Sequence, residues 1–159
     1  MLCWPSKTSL RVELVGALAS DLAVRERAYR AAREAATHDE AKPENDKDTR
    51  ALELTYLARG EAMRIEELRV AVAETQAMAV GPVGDGEPVR LGALVATDED
   101  GVEALFWLAP HGGGSRLGAI QVLTPKSPLG QALLGKRAGD ECDAVLAGRR
   151  RSITIVAVA

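Results

Sequence analysis

The chain has 159 residues, 47% of them hydrophobic but only 3% aromatic, enough for one ordinary domain or two small ones and too few rings for a deep aromatic pocket. A formal net charge of -3 and a pI near 5.5 leave no global basic field to hold phosphates, so free nucleic-acid binding is not expected. No apolar run approaches the ~20 residues that cross a bilayer, the N-terminus lacks a signal-peptide core, and Cys3 and Cys142 lack metal-ligand spacing. A soluble cytoplasmic protein with no membrane partner and no metal site of its own is expected.

From Thr8 to about Thr37, Leu10, Leu14, Ala17, Val24, Ala28, Ala31 and Ala35 follow a four-three spacing broken only by Asp21. The spacing returns between about Asp46 and Met78 in Ala51, Leu54, Ala58, Ile65, Leu68 and Val72, interrupted by Glu61. Two such runs predict an antiparallel, coiled-coil-like helical hairpin over residues 1–80, with arms of roughly 45 Å and a seam of small residues. Tyr29 and Tyr56 are expected to stack or share a face. The turn between the runs, "THDEAKPENDKDTR", carries five carboxylates. Pro43 suits a first helical turn, Asn45, Asp46 or Asp48 suits a cap, and acids are favoured at a helix N-terminus.

After Met78 the texture changes. "VGPVGDGEPVRLG" reads as a linker, followed by strand-like runs around Val95, Phe106 and Val122, another through Cys142 to Leu146, and "SITIVAVA" at the end. "DEDG" signals a hairpin and "HGGGSRLG" a loose loop. In "SPLGQALLGKRAGDE", Ser127 can cap, Pro128 fits the first helical position, and Gly135 can stop a short helix. Residues 81–159 are therefore expected to form a small antiparallel sheet wrapped on one short helix, and the whole chain an α+β protein of two domains. One of Phe106 and Trp107 is expected in the core and the other at an edge or a partner.

"SPLGQALLGKRAGDE" resembles the signature of the GreA/GreB family of bacterial transcription elongation factors, as do "VRLGALVAT" upstream and "RRSITIVAVA" at the end. The resemblance implies an FKBP-like C-terminal domain that grips RNA polymerase, with Ser127, Pro128, Leu129, Gly130, Lys136, Gly139 and Asp140 as partner-binding positions. It also implies a hairpin that carries acids down the polymerase secondary channel to help hold a Mg²⁺ shared with the polymerase active site, where backtracked RNA is cut. Such a protein is an accessory factor, not an enzyme; it is expected as a monomer that meets nascent RNA only inside the polymerase complex. Glu44 and Asn45 match the family tip, and Pro43 shapes it. The family's aspartate falls on Ala41, leaving Glu40, Asp39 and Asp48 as the other candidate acids.

Other readings compete. A non-cleaving channel regulator shares the fold and differs only at the tip. A prolyl isomerase would need aromatic pocket walls, and this half offers only Phe106 and Trp107. A self-associating adaptor would use the acids only to solvate the turn. Lys42 and Lys47 read as solvent-facing or as RNA contacts, and Arg149, Arg150 and Arg151 as a turn into the last strand or as a docking patch. Ser127 lacks a triad context and reads as a cap; "HGGGSRLG" lacks the Gly-Lys-Ser/Thr ending of a phosphate loop.

Overall fold

The computed structural model describes residues 4–39 and 49–159. Two long helices, α1 (Lys7–Asp39) and α2 (Thr49–Ala77), precede β1 (Leu94–Glu99), β2 (Val102–Leu108), β3 (Arg116–Leu117), β4 (Ile120–Leu123), the short helix α3 (Pro128–Leu133), β5 (Glu141–Leu146) and β6 (Arg149–Val158). They fall into two compact units, Gly16–Val72 and Met1–Val15 with Ala73–Ala159, so the bases of both long helices belong with the sheet.

In the unit Gly16–Val72 the helices form an antiparallel hairpin, with Arg25 and Glu61 standing at similar distances from the facing helix ends. On α2 the expected seam holds from Ala58 onward: Ile65 is buried and Ala58, Glu61, Leu68 and Val72 are half-buried, while the side chains of Ala51 and Leu54, like that of Ala35 on α1, lie outside those described. On α1 it shifts by about one residue after Leu14. Leu18, Leu22, Arg25 and Tyr29 are half-buried, whereas Ala17, Ala28 and Ala31 are exposed and Val24 is 52% exposed. The reason is side-chain size: leucines four apart reach across an interface, while an alanine loses little by staying in water. Tyr56, at 71% exposure, is not a ring stacked in a seam. Arg25 Nη1 donates to Glu61 Oε1 at 3.2 Å and Arg69 Nη2 to Glu26 Oε1 at 2.6 Å. These hydrogen bonds raise both guanidinium pKa values. Pairs this exposed set alignment more than stability.

The sheet has the order β3-β4-β2-β1-β6-β5. All neighbours are antiparallel except β2 and β4, which run parallel in the register Leu105↔Ile120 to Leu108↔Leu123. A parallel pair needs a crossover, and residues 109–119 supply it, folding β3 out of the expected loop. "DEDG" closes β1 and β2 through Asp100 and Gly101, both at positive φ, as a two-residue hairpin requires.

Alternation along the strands gives the sheet two apolar faces. Val95, Phe106, Leu123, Cys142, Ile153 and Ile155 form one core with Leu129 and Leu133 of α3. Leu94, Trp107 and Val122 are fully buried on the other. Phe106 and Trp107 thus do point oppositely, yet both are buried, Trp107 fully and Phe106 at 9% exposure. Buried Leu10, Leu14 and Met78 stand outside the sheet in the same unit, and Leu14 lies against Gly112. Trp107 Nε1 donates to the Gly92 carbonyl at 3.3 Å, and Gly92, at φ 84°, leaves no room for a Cβ beside the Ala79 carbonyl. Lys7 Nζ donates to the Gly81 carbonyl at 2.9 Å, and burial, with Arg90 nearby, lowers the Lys7 pKa. Cys142 is a free, buried thiol whose pKa burial raises, an inert core residue.

Thr75 of α2 is fully buried, and its hydroxyl has no hydrogen-bond partner among the described residues. An unpaired buried hydroxyl costs about 1–3 kcal/mol, and valine has nearly the same shape. Thr75→Val is expected to stabilise the fold by about 1–2 kcal/mol, seen as a rise in Tm of about 2–4 °C per kcal/mol in a thermal melt.

Candidate functional site

The core face of the sheet is only partly covered by α3. Beside that helix it opens into a groove of about 580 Å³. Phe106, Leu129, Leu146 and Ile153 give it apolar walls, and Val102, 69% exposed, stands at its margin. Gln121 and Thr124 add polar groups, and Gly113 and Gly114 bring backbone to its edge. Glu99 and Arg151, paired across β1 and β6, close one side. Concave, mostly apolar sites with a few polar groups are where partners and ligands bind.

Local chemistry places Ser127, Pro128 and Leu129 on this groove. The Ser127 hydroxyl donates to the Thr124 carbonyl at 2.8 Å and accepts from the Gly130 N–H at 3.1 Å, so one oxygen ends β4 and caps α3. Pro128 begins the helix, where no N–H is required, and is exposed. Gly130 is buried where a Cβ would overlap the Thr124 carbonyl oxygen and lie 2.8 Å from Ser127 Oγ. Leu129 and Leu133 are core, while Leu134 is 43% exposed.

Lys136, Gly139 and Asp140 do not line the groove. The Lys136 carbonyl accepts from Val89 N at 2.7 Å, tying the linker to the turn that follows α3. Gly139, at φ 90°, donates to Ile155 O at 2.8 Å, and Asp140 Oδ2 accepts from Arg137 N at 2.8 Å. The side chains of Lys136 and Arg137 are exposed. In the arginine run, Arg150 pairs with Asp143 at 2.7 Å, which holds that carboxyl below its ordinary pKa, and Arg151 pairs with Glu99. Arg149 has no carboxylate partner among the described residues.

Glu40, Pro43, Glu44, Asn45 and Asp48 lie outside the described residues, and Asp39 ends α1. Among the described residues no group of three or more His, Cys, Asp or Glu side chains is placed to hold a metal ion, and no helix is long and apolar enough to cross a membrane. Groove residues such as Gln121, Thr124 and Leu146 escaped the sequence reading, because nothing local announces that separate strands will share a wall.

Residues 110–159, which run from the β2–β3 turn to the end of β6 and include the capped turn, match the family model described as "Transcription elongation factor, GreA/GreB, C-term". That part of the chain, 50 of its 159 residues, is similar to the C-terminal domain of the GreA/GreB family. Among solved structures, GreA factor homolog 1 (Gfh1) of Thermus thermophilus is 22% identical, covering 91% of this chain and 94% of that one with a TM-score of 0.42. Gfh1 of Thermus aquaticus is 23% identical over 90% of this chain and 92% of that one, with a TM-score of 0.42. A GreA/GreB elongation factor from Nitrosomonas europaea is 19% identical over 60% of this chain and 78% of that one, with a TM-score of 0.40. No curated protein matches the chain.

If Ser127 and Gly130 build the groove wall, both should be intolerant of small changes. Ser127→Ala is expected to cost about 0.5–2 kcal/mol for the lost cap. Gly130→Ala should cost about 1–3 kcal/mol as the turn is forced off the Thr124 carbonyl. Denaturant melts measure both.

Proposed function

We propose that this chain acts as a GreA/GreB-type factor, docking on bacterial RNA polymerase through the groove and presenting the hairpin's acidic turn to the polymerase active site, where it stimulates cleavage of backtracked RNA. The observation that carries this reading is the family match, whose residues include Ser127, Pro128 and Leu129 on the groove wall. In this reading Ser127, Leu129 and Gly130 act by holding the wall in shape, and Gly139 and Asp140 by holding the following turn. Exposed Pro128 and Lys136 are the positions of the motif that meet the partner. The protein works as a cytoplasmic monomer and contributes no active site of its own.

Glu44 is the foremost acid, with Glu40, Asp39 and Asp48 behind it. A hard Mg²⁺ takes oxygen ligands and keeps several waters, so one or two carboxylates complete a site that another protein mostly supplies. A second metal ion in such a site stabilises the attacking and leaving oxygens of a phosphoryl displacement. The chain's part is to aim the carboxylates. One sequence observation favours a second, non-cleaving reading: Ala41 stands where the family has an aspartate, and Glu40 lies one residue earlier. One residue of slippage turns a side chain about 100° around a helix.

The test uses purified bacterial RNA polymerase halted in a backtracked complex with labelled RNA and Mg²⁺. Addition of this protein is expected to shorten the RNA from its 3′ end, and Glu44→Ala should slow that step by about 100-fold or more, with Glu40→Ala slowing it less. Binding without cleavage would replace this reading with the channel regulator. No binding at all would remove both.

A further inference from the structure

The β2–β3 turn has two sides. On one side Gly113 and Gly114 line the groove, and a Cβ at Gly113 would lie 3.0 Å from Cγ2 of Thr124, another groove residue. On the other side Gly112, at φ 78°, backs onto α1, where a Cβ would lie 2.6 Å from Leu14 Cδ1. His111 reaches α2, with Nε2 2.6 Å from Glu74 Oε2. A single short turn therefore touches the groove and the bases of both long helices. Thr75, which follows Glu74 on α2, is buried with its hydroxyl unpaired among the described residues.

We propose that occupancy of the groove is transmitted through the turn, residues 109–115, to the base of α2, residues 73–77, with the His111–Glu74 contact as the link. The inference rests on the docking reading above. Close packing passes a displacement of Gly113 on to its neighbours, since the interior has little free volume to absorb it. Coupling also requires that the occupant favour one of two arrangements. His111 and Glu74 act here as positioning residues.

Hydrogen exchange on the full chain, free and bound to purified bacterial RNA polymerase, tests this. Docking is expected to slow exchange in β2 and β4, and residues 73–77 are expected to slow with them by roughly 5- to 100-fold. In His111→Ala and in Glu74→Ala, which each remove the contact, the strands should respond as before while residues 73–77 keep the rates of the free protein. Slowed strands with unchanged residues 73–77 in the unsubstituted chain would overturn the coupling. A response at residues 73–77 that persists in both variants would overturn it too, because direct polymerase contact would then account for it. If β2 and β4 show no protection at all, the docking reading falls and takes this inference with it.

Discussion

The groove depends on one oxygen. The Ser127 hydroxyl donates to the Thr124 carbonyl and accepts from the Gly130 N–H, so the chain leaves β4 and enters α3 with only four residues between them. That tight exit seats Leu129 and Leu133 in the core and leaves the rest of the sheet face open beside the helix. A looser turn would let α3 slide over Phe106 and fill the groove with its own side chains. Gly130 serves the same end by subtraction, since any side chain there would push the helix off the Thr124 carbonyl. Six residues of helix are far too few to hold themselves together in water. Cap, proline and buried leucines supply what helix propensity cannot.

The hairpin unit is held by different means. Its described residues bury only Ile65 and Ala71, and the rest of the seam is half-wet. Where a coiled coil would place another pair of leucines, Arg25 meets Glu61 and Arg69 meets Glu26. Exposed ion pairs add little stability, but like charges at those heights would be penalised, so they select one alignment of the helices. Stiffness comes from the backbone hydrogen bonds of the helices themselves, and the seam has only to keep them side by side.

The legible parts of the fold were those whose cause is local. Ser127, Pro128 and Gly135 announce a short helix, and Asp100-Gly101 a hairpin, because cap and turn chemistry act within four residues. The seam of α2 was legible because Ile65 and Leu68 are large enough to require burial. On α1 the alanines at 17, 28 and 31 fitted the spacing equally well and were misleading, since alanine is content on either side of a helix. The parallel pairing of β2 with β4 lay beyond reach, because its register is set by how the crossover packs and not by either strand. The groove was half legible. Ser127–Leu129 stood out, but Gln121, Leu146 and Val102 reach it only through strand pairings far apart in sequence.

These causes constrain the two candidate sites differently. At residues 127–140 the requirements are internal: a hydroxyl between two backbone groups, a missing Cβ, a positive φ at Gly139. Substitution there is felt by the fold before it is felt by any partner. For the acids between Asp39 and Asp48 the proposed requirement is external, set by where another protein holds its metal. No described contact of the sheet unit would notice Ala41 in place of an aspartate. In the proposed reading the two sets of requirements are independent: a change at residues 127–140 is read in a melt of the protein alone, and a change at Glu44 only in the presence of the polymerase.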